Sequence, residues 1–410
     1  MQPTQPNERF AILDILRGFA LCGVLIANMA YHSGYWFLSP EKQVELQYSA
    51  AGEVLMWVIH FLSDGKFYSI FSILFGIGFA LQMQRSIDKN EPFMGRYSRR
   101  LLILFFFGIL HAFLFYVGDI LSIYALTGFL LLLFRNQSSK FLLRTAVILL
   151  SLPVLQYIFV WWNAQGAPPV DPSGDLAFFE QLVLVYSTGN FNDILFNNIG
   201  GTIFGRYPDL IFTGRFFKVL AMFLLGFYIV KTKLFKYTQD RKKRYKRILL
   251  WSAIIGIPSN IILAQMMSTD AYYMLEPSGI IQPIVYAFGV PALGVFYAVA
   301  ILLIYQKPRF RKTLNMFAPY GRMALTNYLM QSILSCFIFM SYGLGLFASV
   351  GPILFTIIGL SIMIIQFIFS HWWLSKFKYG PAEWLWRSMT YKKWQSFAKA
   401  PLNTSPKNPL

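Results

Sequence analysis

The stretch Val350-Gly-Pro-Ile-Leu-Phe-Thr-Ile-Ile-Gly-Leu-Ser-Ile-Met-Ile-Ile-Gln-Phe-Ile-Phe-Ser370 runs for 21 residues without one charged side chain. As a helix it covers about 30 Å, the hydrocarbon thickness of a bilayer. Comparable runs recur along the whole chain, and the composition agrees with them. Of the 410 residues, 56% are hydrophobic, 18% aromatic and only 13% charged, with a mean hydropathy of +0.51. A soluble domain of this length carries about 25% charged residues. Nucleic-acid binding, disordered scaffolding and disulfide-rich secretion are poor fits. The sequence predicts an all-α integral membrane protein that is a single polytopic domain over 1–400, followed by a disordered tail at 401–410.

Working outward, apolar runs at 10–31, 66–84, 101–117, 119–134, 141–162, 214–230, 248–267, 280–305, 321–342 and 349–374 predict about ten transmembrane helices. The run 119–134 is short. Segment 51–63 carries Glu53, His60 and Asp64 and reads as an interfacial or re-entrant helix. The net charge of +18 follows from how the basic residues are distributed. They fill every second loop: Arg85 to Arg100, Arg135 to Arg144, the dense run 231–247, and Lys307 to Lys312. The intervening loops hold Asp171, Asp175, Glu180, Asp193, Asp270 and Glu276. Basic loops stay cytoplasmic, so this alternation places both termini inside. It makes 163–213 an extracytoplasmic loop, with 182–185 as a short helix on the membrane, and 231–247 a cytoplasmic one. Asp14 and Arg17 interrupt the first span, which therefore reads as a retained anchor. Cys22 and Cys336 lie in apolar runs and read as core packing.

Charges at membrane depth cost at least about 2.5–3.5 kcal/mol each, which singles out the ionisable residues inside the spans. Asp14 and Arg17 share one helical face, where they either bind substrate or form a buried structural pair. Lys66 opens the second span; Lys66 and Arg215 alternatively snorkel to the headgroups. His111 lies about 15 Å into the third span and suits a general base, because imidazole titrates near neutrality. Asp119 follows eight residues later, about 12 Å along a continuous helix. That is too far for a hydrogen bond unless the helix breaks near Gly118, and Asp119 is assigned to the acceptor entrance. Arg322, Asn327 and Gln331 begin the ninth span; the two amides alternatively bond a neighbouring helix. His32, His60 and His371 read as interface residues. No metal-binding spacing, phosphate-binding glycine loop or nucleophile elbow occurs, and Gly76-Ile-Gly78 reads as helix packing.

Several of these elements resemble the bacterial YeiB-like (DUF418) membrane proteins. They are Leu13-Asp-Ile-Leu-Arg-Gly18 with Asn28, Lys66-Phe67 with Leu74-Phe-Gly76, and Gly108-Ile-Leu-His111 with Gly118-Asp-Ile-Leu121 and Tyr124. The most specific is Gly321-Arg-Met-Ala-Leu-Thr-Asn-Tyr-Leu329 with Gln331, and Gly380-Pro-Ala-Glu-Trp-Leu-Trp-Arg387 resembles the family's terminal motif. The resemblance implies a multi-pass protein of the bacterial cytoplasmic (inner) membrane, with Asn28 and Tyr124 among the substrate-binding residues. It further implies a distant similarity to transmembrane acyltransferases. Those enzymes take an acyl group from cytosolic acyl-CoA and place it on an acceptor across the membrane.

Two functions compete, beside a third, a lipid-binding or regulatory membrane protein without turnover, that no positive feature supports. As an acyltransferase, the protein uses His111 as base, Arg17 for a phosphate of acyl-CoA as co-substrate, and no covalently bound cofactor or metal. As a proton-linked transporter or flippase, it uses His111, Asp14 and Arg17 as a polar path, with helix seams at Pro258, Pro283, Gly289 and Pro291. The expected partners are the lipid bilayer, a small-molecule or lipid substrate and a second copy in a homodimer, but no nucleic acid.

Overall fold

The computed structural model describes residues 10–47, 50–165, 173–268 and 277–399. The side chains of 173–175 are not described either. Asp171, Asp270, Glu276 and the tail 401–410 therefore lie outside the described residues, as does the side chain of Asp175.

Among the described residues the secondary structure is helical, apart from one isolated bridge between Phe377 and Ala398. The first half comprises α1 (Ala11–His32), α2 (Pro40–Gln47), α3 (Ala50–Leu62), α4 (Lys66–Asp88), α5 (Met94–Leu114), α6 (Leu121–Leu131) and α7 (Ser139–Asn163). Next come α8 (Ser173–Thr188), α9 (Phe191–Gly200), α10 (Tyr207–Phe212), α11 (Arg215–Lys231) and α12 (Lys242–Met267). The remainder comprises α13 (Ile281–Ile284), α14 (Val290–Tyr305), α15 (Pro308–Asn315), α16 (Phe317–Arg322), α17 (Ala324–Phe339), α18 (Pro352–Lys376) and α19 (Pro381–Tyr391). Local chemistry sets several starts. Ser138 caps α7 by accepting from Phe141 N, Asn190 and Asp193 form a capping box on α9, and proline opens α18 and α19.

Each of the ten expected spans contains a helix, but they are unequal. Among the described residues, seven stretches are long and apolar enough to cross a membrane, which makes the chain a multi-pass membrane protein. An eighth exists if Phe191–Phe212 and α11, bent by 65° at Thr213 and Gly214, count as one span. Leu121–Phe134 and Ala324–Phe339 are shorter than the hydrocarbon layer is thick. Two expectations gain detail. First, within the region 163–213, the residues from Ser173 onward are built of α8, α9, a π-helical turn and α10. Its apolar residues Leu182, Val183 and Val185 pack onto a cluster around Tyr35, Phe37 and Phe347, which explains why it folds back. Second, the helix expected at 51–63 is present as α3, joined to α4 by a three-residue turn in one 39-residue helical stretch.

Burial separates a central layer from a lipid-facing one. In α1, and in the stretch containing α4, 56% of the apolar window is buried, against 17% in α7 and 28% in α18. The core centres on α4 and α11, where Phe79, Val219, Phe223, Leu224 and Phe227 are fully enclosed. Close backbone approach makes this layer possible. A Cβ on Gly76 would run into the Phe223 carbonyl, and one on Gly321 of α16 into the Asp14 carbonyl of α1. Gly78 meets nothing, so only Gly76 of the expected pair serves helix packing.

Candidate functional site

A cavity of about 530 Å³ lies within the central layer. One end is walled by Asp14 and Arg17 near the start of α1, Arg85 at the end of α4 and Arg100 early in α5. Arg322 at the end of α16, and Glu383, Trp386 and Arg387 of α19, complete it. The other end holds Asn28 late in α1, Ser63, Tyr116, Gly118, Arg206 and Arg215. Arg17 and Asn28 are eleven residues apart on one helix, so the two ends are about 16 Å apart along it. Between them the lining is apolar and aromatic: Leu21, Val24, Tyr68, Phe71, Phe75 and Tyr124. Tyr124 is held in place by its hydroxyl, which donates to the Tyr68 carbonyl (3.0 Å) and pairs with Ser72 Oγ (2.8 Å). Among the described residues, seven arginines and two carboxylates face this cavity. In a low-dielectric interior that surplus attracts an anion.

At the arginine end, Arg17 Nη1 donates to Asp14 Oδ1 (2.6 Å), and the Arg17 side chain remains 32% exposed. The first-span pair is therefore real, yet it leaves a guanidinium facing the cavity. Arg100 lies 3.6 Å from the centre of the Trp386 ring, whose Nε1 donates to the Arg100 carbonyl (2.9 Å). These contacts pin α19 to α5. The Glu383 carboxylate caps α17, accepting from Leu325 N (2.7 Å), Thr326 N (3.1 Å) and Thr326 Oγ1 (2.5 Å). Burial raises its pKa above the ordinary carboxylate value, against the pull of those donors. Arg322 does not begin the ninth span as expected. The helix breaks at Met323, so Arg322 ends α16 and turns toward the cavity.

His111 and Asp119 sit beside the opposite end. Helix α5 stops at Leu114, and the amides of Phe115 and Tyr116 both bond back to the His111 carbonyl. The chain then reverses, so Asp119 returns to its starting point: Asp119 Oδ1 lies 2.9 Å from His111 Nδ1. The expectation that Asp119 is too distant for a hydrogen bond is thereby corrected, through the helix break that the sequence required for it. Asp119 Oδ2 accepts from Ser122 N (2.8 Å), which fixes the carboxylate. Gly108 permits the fold-back, because a Cβ there would strike Ser122 N. Both side chains are about 1% exposed. A carboxylate on Nδ1 holds the proton there and leaves Nε2 with a lone pair. That Nε2 is buried and has no hydrogen-bond partner among the described residues. His111 does not itself line the cavity; it lies behind Tyr116 and Tyr328, which do, with the Tyr328 ring 4.9 Å away.

Other candidates stand elsewhere. Lys66 is fully buried and donates to the His60 carbonyl (2.5 Å), so it does not snorkel. Asn327 donates to the Tyr320 carbonyl (3.1 Å) and Ser370 Oγ (2.9 Å), and Gln331 to Tyr320 Oη (2.9 Å). With Gln366 they tie α16, α17 and α18 together, away from the cavity lining. His32 and His60 are buried: His32 lies on the Tyr116 ring, and His60 Nδ1 is 2.5 Å from Asp64. His371 is exposed and bonds only the Phe367 carbonyl. Sequence reasoning missed Arg85, Arg100, Arg206, Glu383 and Arg387. Arg85 and Arg100 carried only a loop signal; the signal for Glu383 and Arg387 was the motif beginning at Gly380.

The family model described as "Protein of unknown function (DUF418)" matches residues 229–393. "Uncharacterized protein YxaH" of Bacillus subtilis is 36% identical, over 97% of this chain and 98% of its own length. "Uncharacterized 39.9 kDa protein in amylase 3'region" of Bacillus acidopullulyticus is 30% identical, over 96% and 97%. "Uncharacterized protein YeiB" of Escherichia coli is 27% identical, over 94% and 97%. No solved structure matches significantly. With relatives aligned almost end to end, this chain belongs to the YeiB-like (DUF418) family of membrane proteins.

Proposed function

We propose that the protein is a transmembrane acyltransferase of the bacterial cytoplasmic membrane, with both termini inside. Acyl-CoA enters at the arginine end, and the acceptor meets the acyl group at the His111 end. The observation that carries this reading is one aromatic-lined cavity with five arginines at its first end and a His–Asp pair beside its second. The arginines suit the phosphates of the donor, since each guanidinium offers a fork of charged donors. The apolar middle suits an acyl chain. In the transfer, the acceptor oxygen or nitrogen attacks the thioester carbonyl and the carbon–sulfur bond breaks. The acceptor's proton passes to His111 Nε2 by way of Tyr116 or Tyr328, which stand between it and the cavity, and the departing thiolate of CoA is protonated in turn.

Titration of purified protein with acyl-CoA, followed by mass spectrometry of lipids and envelope sugars from matched cells, tests this. Binding by the wild type is expected, together with an acylated product that disappears without the protein. If neither is seen, the reading fails. One observation favours a second reading, transport of an anion: the bundle contains π-helical segments at Gly201–Arg206 and Val285–Gly289, places where helices bend. Uptake of a labelled anion into proteoliposomes, without acylation, would select it.

A further inference from the structure

We propose a second anion site at the His111 end of the cavity, formed by Arg206 and Arg215, that holds a phosphate group of the acceptor. It rests on the acyltransferase reading only for the word acceptor; the site itself rests on geometry. Arg206 closes the π-helical turn Gly201–Arg206, and Arg215 opens α11 just past the 65° bend. Both line the cavity, close enough for their charges to act on each other. Lys218, one turn further, is not among the cavity-lining residues; its Nζ lies 4.1 Å from the centre of the Tyr286 ring. The carboxylate nearest Arg206 balances little of this: Asp209 Oδ2 is 3.5 Å from Nη1, the outer limit of a hydrogen bond, and its side chain is 43% exposed. The Arg206 side chain is only 14% exposed, and its Nε is buried without a hydrogen-bond partner among the described residues. Two guanidiniums lining the same end of the cavity match a tetrahedral oxyanion, whose several oxygens accept from both.

Purified protein in phosphate-free buffer is titrated calorimetrically with dihexanoyl phosphatidic acid, with inorganic phosphate and with dihexanoylglycerol as the uncharged comparator. Wild type is expected to bind a phosphate-bearing probe and not the comparator. Binding of the phosphatidic acid alone identifies a lipid headgroup; binding of inorganic phosphate as well identifies a site for the free group. Arg206→Gln is expected to weaken the phosphate probe about 10–100-fold and to leave acyl-CoA affinity within twofold, with Arg206→Lys in between. If Arg206→Gln does not fold, Arg206→Lys and the wild-type comparison still decide. The proposal falls if wild type binds neither phosphate probe, if affinity ignores both Arg206 variants, or if it follows Arg17→Gln, which would put the probe at the arginine end. Phosphate binding through Arg206 without acyl-CoA binding would keep this site and reject the acyltransferase reading.

Discussion

The two ends of the cavity are built in opposite ways. The arginine end gathers α1, α4, α5, α16 and α19, segments hundreds of residues apart, and its charges are partly exposed and numerous. The His111 end centres on a single fold-back between α5 and α6, in which one carboxylate holds one imidazole out of water. Several charges that share one binding task tolerate the loss of a member; a single imidazole acting as base has no substitute. That contrast orders the expected sensitivities.

The largest effect belongs to the buried pair. His111→Ala should lower acyl transfer by about 10²–10⁴-fold while acyl-CoA binding to purified protein stays near wild type. Asp119→Asn preserves an acceptor for Nδ1–H and should lower transfer by a similar order, by weakening the hold on the imidazole. Its melting temperature should fall by only a few degrees. A collapse in stability with proportionate loss of binding would mark the pair as structural and erase the contrast.

Next in size is the helix crossing that assembles the arginine end. Gly321→Ala pushes a methyl group against the Asp14 carbonyl and separates Arg322 from Arg17. Thermal unfolding in detergent should show a loss of about 1–3 kcal/mol. Acyl-CoA affinity should drop further than for any single arginine variant. Gly78→Ala, where a Cβ meets no atom within 4 Å, serves as the matched control and should unfold like wild type. Equal melting of the two variants would break the packing argument.

The smallest effect is expected from one arginine. Arg17→Ala should weaken acyl-CoA by roughly tenfold, the value of one charge-assisted contact, because four other arginines share that end. Arg17→Lys should retain part of it. Asp14→Asn should cost little stability, since the Arg17 side chain it leaves is 32% exposed and reaches the cavity. A double change of Asp14 and Arg17 to apolar residues that kept full acyl-CoA affinity would sink Arg17 as a phosphate ligand and sharpen the importance of its neighbours.

Hydropathy alone determined the class of this protein and the places of its helices, because burying backbone in lipid forces every long apolar run into a helix. Spacing alone placed Asp14 and Arg17 on one face, and the depth of His111 marked it as unusual. What only the tertiary structure decided is which way the helix ends turn. Arg85 and Arg100 sit in a basic loop pattern that says cytoplasmic anchor equally well for a residue facing water and one facing a cavity. Asp119 became the partner of His111 because α5 stops at Leu114, a break with no proline to announce it. Asn327 and Gln331, polar in an apolar run, went to the seams between helices, since an amide there satisfies its hydrogen bonds with other helices. A one-dimensional pattern records how much of a segment avoids water. The neighbour that each face meets depends on contacts between segments far apart in the chain.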